Sequence, residues 1–244
     1  MLGASHDGLL GPAQPAVHAS SVADNCLVRN EWVCPDYVTT RSSQILDALG
    51  EHVLITVLSV GIGALLAFPL ALLARRSGLL KSVVLGTSTI IYTIPSLALF
   101  SLLLGVTGLS ITTVVTGLVL YSLTVLVRNM VAGLDAVPDD VLDAARGMGF
   151  APRRLLWKVQ VPLALPAFFA GLRVATVSTV ALTTIGTVVS EGGLGYLIAD
   201  GQSSEFNAEL FTGAVLCVVL ALALDLLLVL AQRLATPWRR AARA

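Results

Sequence analysis

Apolar residues run along this chain in five long blocks, residues 52–74, 82–104, 109–127, 167–189 and 210–231. A helix needs about 20 apolar residues to cross the hydrocarbon core of a bilayer, and each block is of that order. The pattern therefore predicts an all-α polytopic membrane protein of about five transmembrane helices. The fourth and fifth blocks each carry one formal charge, Arg173 and Asp225. Small residues (Gly61, Gly63, Gly86, Gly117, Gly171, Gly186 and Gly213) recur inside the blocks and suit close helix approach. Pro69 and Pro95 fall inside blocks and predict kinks or opened backbone groups. Tyr92, Thr93 and Ser96 flank Pro95 and offer hydroxyls to a wet path. Thr183 and Thr184 offer the same in the fourth block.

Charge sets the expected orientation. Arg75, Arg76 and Lys81 follow the first block, and Arg128, Arg146, Arg153, Arg154 and Lys158 follow the third. Arg173 lies early in the fourth block, and Arg233, Arg239, Arg240 and Arg243 follow the fifth. These are 13 of the 15 basic residues; Arg29 and Arg41 fall on the other side. Basic segments are retained in the cytoplasm, so the N-terminus is expected outside and the C-terminus inside. An odd number of spans agrees. The chain then divides into an extracytoplasmic segment 1–51, a membrane domain 52–231 with a cytoplasmic loop 128–166, and a basic tail 232–244.

Hydrophobic residues make up 56% of the chain and charged residues 12%, against about a quarter charged in soluble domains. The formal net charge is zero, so nucleic acid is not an expected partner. No secretory leader is expected, because residues 1–30 lack a cationic start followed by an apolar stretch. No internal repeat is evident.

The loop between the third and fourth blocks reads as two short helices. Pro138 begins the first, Asp139 and Asp140 occupy its first turn, and Val141, Ala144, Ala145 and Met148 form one apolar face. Gly147 and Gly149 can stop it in a left-handed conformation. Pro152 begins the second, with Leu155, Leu156 and Val159 on one side and Arg153, Arg154 and Lys158 on the other. Pro162 and Pro166 are expected to end it. The apolar face must be covered, either by the chain's own helix ends or by a soluble partner with a groove.

The run Asp143-Ala144-Ala145, then Gly149, then Val159-Gln160-Val161-Pro162 resembles the EAA loop of ABC importer permeases. That signature reads Glu-Ala-Ala, three residues, Gly, nine residues, Ile-x-Leu-Pro; Asp143, Val159 and Val161 are mild departures. Arg128-Asn129 with Gly133, Ala144 to Gly149, Gly171-Leu172-Arg173, Ile94-Pro95-Ser96, Gly192-Gly193-Leu194-Gly195 and the segment Trp32 to Tyr37 resemble the osmoprotectant branch, the permeases for glycine betaine, carnitine and choline. The resemblance implies a MetI-like type I importer fold. It implies two permease subunits, two ATP-binding subunits and an extracytoplasmic binding protein as partners. Residues 139–149 would be the coupling element, with Asp139, Asp140, Asp143, Ala144, Ala145, Gly149 and Arg153 at the ATPase contact.

The chain carries no phosphate loop of its own; Gly78-Leu79-Leu80-Lys81-Ser82 lacks the glycine before lysine. The chain is therefore expected to be no enzyme and to hold no cofactor, with ATP and Mg used by a partner. Few aromatics lie in the membrane portion to cage a quaternary ammonium, so tight recognition is expected in a separate binding protein. Glu191 with Gly192, Gly193 and Gly195 reads as a flexible turn or as an outer gate facing a cationic ligand. Asp225 either snorkels or pairs with Arg233 or another base, and Arg173 reads as an anchor at the interface or loop. Cys26 and Cys34 are either a disulfide or two free thiols outside the cytoplasm. His6, His18 and His52 lack metal-ligand spacing, so no metal is expected. The rival readings are an ABC permease for methionine or another amino acid, a secondary transporter, for which only Asp225 speaks, and a membrane hydrolase, for which no Gly-x-Ser-x-Gly or His-Glu-x-x-His is present.

Overall fold

The computed structural model of the chain describes residues 25–189 and 192–238, and these form helices joined by short turns. Helix α1 (Pro35–Thr40) leads into the long α2 (Ser42–Ala74), which starts ten residues ahead of the first apolar block. Pro69 sits inside α2 without ending it. Ser77 caps α3 (Gly78–Thr93), its hydroxyl accepting the Leu80 N–H at 3.2 Å. α4 (Ser96–Thr107) follows after two residues, then α5 (Ile111–Asp135) and α6 (Asp139–Gly147). α7 (Pro152–Ile185) runs 34 residues. α8 (Gly193–Ser203) and α9 (Asn207–Ala235) complete the described chain.

Four of these helices, α2, α5, α7 and α9, are long and apolar enough to cross a membrane. The second block is not one straight span. It breaks at Ile94–Pro95, and α3 and α4 meet at 99°. Proline forces the preceding residue out of the helical region, and Ile94 is extended at φ −68° and ψ 127°.

A second departure lies in the loop. Pro162 and Pro166 do not end a helix there; α7 continues through both. A π-helical turn at Leu156–Gln160 precedes Pro162. Wider i→i+5 bonding in that turn accommodates a ring that would clash with the carbonyl four residues back. The second loop helix is thus continuous with the fourth span. Arg173, counted with the cytoplasmic basic residues, consequently lies in the middle of α7.

The bundle is built on α5, which packs against α2 on one side and α7 on another. Without a hydrophobic force between helices in lipid, close backbone approach supplies the packing. A Cβ on Gly133 would lie 2.7 Å from that of Ala167, and one on Gly171 would lie 2.5 Å from that of Asn129, so the α5–α7 crossing admits no side chain at either point. Gly61 and Gly86 have open space instead and take no part in packing within the chain. α8 and α9 pack on α7, while α3 and α4 pack on α5. At the end nearest α6, Asp135 accepts from both Arg75 (3.1 Å) and Lys81 (2.6 Å), joining the ends of α2, α3 and α5. The Arg75 guanidinium also donates to Gln160 in the π turn at 2.8 Å.

Candidate functional site

Three places carry chemistry beyond packing. The first is the loop helix α6. Asp139 and Asp140 occupy its first turn, behind Pro138 at the N-cap. Its end is a Schellman turn: Gly149 N–H donates to the Arg146 carbonyl at 2.9 Å and Phe150 N–H to the Ala145 carbonyl at 3.1 Å. Gly149 takes φ +79°, while Gly147 stays helical. A Cβ on Gly149 would meet nothing within 4 Å, so any penalty there is conformational alone. Gly149→Ala should therefore destabilise the chain by about 1–2 kcal/mol and Gly149→Asn by less, as read by thermal unfolding in detergent.

Of the four apolar positions expected on one face of α6, only Ala145 is buried, and Leu142, which was not among them, is buried beside it. Leu142 and Ala145 pack with Val137 and Leu155, and Ala145 is only 2% exposed. Val141, Ala144 and Met148 stand on the uncovered side, Met148 at 70% exposure. The chain thus covers one stripe of the helix itself and leaves the other bare. Asp143 is exposed and bonded to Arg146 at 2.6 Å. Arg153 is exposed, and Arg154 stacks 4.7 Å from the Phe150 ring centre.

The second place is the break between α3 and α4. Tyr92 and Pro95 are exposed there and Ser96 is half-buried. Tyr92 stands edge to face with Tyr121 of α5, ring centres 5.7 Å apart. The Tyr121 hydroxyl donates to the Ile94 carbonyl that the break leaves open. Thr124 donates to the Ser88 carbonyl at 2.7 Å, and Arg128 donates to Thr89. Thr183 does not join this group; it is buried, and its hydroxyl donates to the Thr179 carbonyl of its own helix at 2.7 Å. Thr184 likewise bonds within α7, to the Ala181 carbonyl at 2.7 Å.

The third place lies at the opposite end from α6. Glu191 falls outside the described residues, but the glycines after it are ordered against α2. Gly193 N–H donates to a Glu51 carboxylate oxygen at 3.0 Å, and Leu194 N–H donates to His52 Nδ1 at 3.3 Å. His52 Nε2 reaches the Val180 carbonyl at 3.1 Å. Since Nδ1 accepts, Nε2 carries the proton, and one neutral imidazole joins α2, α7 and α8. Gly192 and Gly193 have φ +156° and +67°, and a Cβ on Gly192 would collide with the Glu51 carboxylate. The positive φ at both positions favours glycine, and a Cβ on Gly192 would also push the Glu51 carboxylate aside. The sequence gives one signal for this clamp, a Glu-His pair at the edge of an apolar block, and it carries no indication of the partner.

Outside this clamp, Cys26 and Cys34 are bonded with Cα atoms 5.5 Å apart. The closed loop presents Asn30, which accepts from Asn207 N–H at 2.8 Å and donates to the Glu205 carbonyl at 2.7 Å, holding the α8–α9 turn. Burial pushes the phenol of nearby Tyr37 well above its ordinary range, and the Glu209 carboxyl adds to the shift. Between α7 and α9 the partly exposed side chains of Arg173 and Asp225 pair, Nε to Oδ1 at 2.7 Å and Nη2 to Oδ2 at 2.8 Å. The partner of Asp225 thus comes from α7. Among the described residues no cluster of side chains could hold a metal ion.

Four membrane-length helices, a further pair of helices bent at a break, and an amphipathic loop helix half uncovered describe a multi-pass membrane protein. Residues 59–241 match the family model described as the binding-protein-dependent transport system inner membrane component, and the chain belongs to that family. It is 35% identical over 207 residues to the osmoprotectant import permease protein OsmW of Salmonella typhimurium, covering 82% of this chain and 96% of that one. It is 33% identical over 205 residues to the choline transport system permease protein OpuBD of Bacillus subtilis, covering 84% and 91%. Inward-facing MetNI, a methionine ABC transporter, has a chain with the same fold, with TM-score 0.73 at 21% identity over 81% of this chain and 98% of that one.

Proposed function

We propose that the chain is the membrane-spanning permease of an ATP-driven importer for a quaternary-amine osmoprotectant such as glycine betaine, choline or carnitine. The uncovered stripe of α6 carries the mechanism. Val141, Ala144 and Met148 form an apolar edge on a helix whose other edge is anchored to the bundle. An ATP-binding subunit seated on that stripe would move α7 directly, because only a short turn separates α6 from it. Two such subunits, a second permease (this chain or a relative) and an extracytoplasmic binding protein complete the importer. ATP and Mg belong to the partner. Asp139, Asp140, Asp143, Ala144, Gly149 and Arg153 are the contact positions, while Ala145 acts from beneath by holding α6 in place.

The α6 end faces the cytoplasm of a bacterial cell in this reading. Basic residues Arg75, Arg76, Arg153, Arg154 and Lys158 gather there, and the Cys26–Cys34 bond belongs to an oxidising compartment on the other side. The ligand class rests on the relatives above 30% identity, which are named for osmoprotectants and choline. The methionine transporter shares the fold alone.

A cysteine at Ala144, which is exposed, should crosslink to the ATP-binding subunit in membranes. Met148→Asp should leave the chain folded and abolish ATP-driven uptake of radiolabelled choline and glycine betaine by proteoliposomes holding all subunits. Uptake that proceeds without ATP would overturn the reading.

A further inference from the structure

The break in the second span exposes backbone far inside the membrane. Tyr121, which faces it, lies about 15 Å along α5 from that helix's start at 1.5 Å per residue. Irregular backbone at such depth persists only against protein or a water-filled cavity. α3 and α4 meet α5 and α2 on one side, and Tyr92, Thr93 and Pro95 are exposed on the other. This open side therefore does not face lipid tails.

The groups gathered there suit one kind of ligand. Tyr92 is 48% exposed, and its ring is set at 79° to that of Tyr121. Tyr121 is buried and pinned through its hydroxyl to Ile94, so Tyr92 leans on a fixed neighbour. α3 ends at this point with the negative end of its dipole and α4 begins two residues later with the positive end of its own, so the helix dipoles offset and the aromatic ring is what remains to attract a cation. The Thr93 hydroxyl is already committed to the Ile90 carbonyl at 2.7 Å. A quaternary ammonium has no proton to donate and is held instead by the negative face of an aromatic ring. Neither α3 nor α4 contains a carboxylate, and the acidic residue of α5 is Asp135 at its far end. Nothing here would bind the cation tightly, as befits a place it must leave.

We propose that Tyr92, positioned by Tyr121, is an aromatic station for the quaternary ammonium group on its way across the membrane; this rests on the importer reading above. The ring, not the hydroxyl, makes the contact. The complete importer is reconstituted in proteoliposomes with its ATP-binding subunits and binding protein, and radiolabelled choline uptake and ATP hydrolysis are measured together. Tyr92→Phe should keep uptake within about two-fold of the native chain. Tyr92→Leu should lower it by about two- to thirty-fold, the range spanned by a ring's attraction for a cation from exposed to desolvated settings. ATP hydrolysis stimulated by loaded binding protein should be unchanged in both, so that fewer molecules cross per ATP. If the leucine variant does not assemble, Tyr92→Met takes its place with the same expectation. A leucine or methionine variant with native uptake overturns the station, as does a phenylalanine variant that falls equally far. Absence of ATP-dependent uptake by the native chain would instead count against the importer reading.

Discussion

Replacing His52 by alanine should unfold the clamp end of the bundle and lower the melting temperature more than any other single change at that end. The imidazole is 0% exposed and bridges three helices. Its removal orphans the Leu194 N–H in the first turn of α8 and takes a second partner from the Val180 carbonyl, which keeps its bond within α7, at a packed junction of α8 and α7 with α2. The orphaned N–H costs about 1–3 kcal/mol before the cavity is counted. His52→Gln carries both a donor and an acceptor and should recover part of the loss. The check is thermal unfolding of the purified chain in detergent, with native-like melting of His52→Ala as the contrary result. Glu51→Gln makes a useful comparison, because it keeps an oxygen for the Gly193 N–H and should be much milder.

How much of this was legible in the sequence follows from the range over which each signal acts. Apolar blocks fix spans because lipid accepts nothing else, and the blocks at 52–74, 109–127, 167–189 and 210–231 all fall within or nearly within the long helices. Pro95 announced a disturbance, but its size depends on what receives the freed backbone, and here Tyr121 receives Ile94 from another helix. Pro162 and Pro166 announced an end that did not come, because the π turn before them absorbs the ring. The α6 periodicity was visible as a set of apolar positions. Its division into a buried edge at Leu142 and Ala145 and a bare edge at Val141 and Met148 depends on Val137 and Leu155, which lie outside the helix. The clamp was least legible. Glu51 and His52 accept from Gly193 and Leu194, more than 140 residues further on, and no local pattern records such a pairing. Thr183 illustrates the converse error, since a hydroxyl in a span is satisfied as readily by its own helix as by a wet path.

The other large effect belongs to the ion pair between α7 and α9. Asp225→Ala should sharply reduce the yield of folded chain, and so should Arg173→Leu, because each leaves one charge in the membrane without its partner. The two side chains meet in a bidentate fork, 2.7 and 2.8 Å, so both carboxylate oxygens are satisfied by one guanidinium. Arg173→Lys should not substitute fully, since an ammonium cannot reproduce the fork. Removing both charges together is a different matter. A double variant, Arg173→Met with Asp225→Leu, has no charge within the apolar spans left without its partner, and apolar pairs often replace ionic ones without loss of stability. Folded yield and melting temperature should therefore recover in the double variant towards those of the native chain. If transport also returns, the pair serves to hold α9 on α7. If stability returns and transport does not, the charges act in the transport cycle, by parting and re-forming as the helices rock. Equal loss in the double and single variants would show that the two residues contribute separately, contrary to the geometry of the fork.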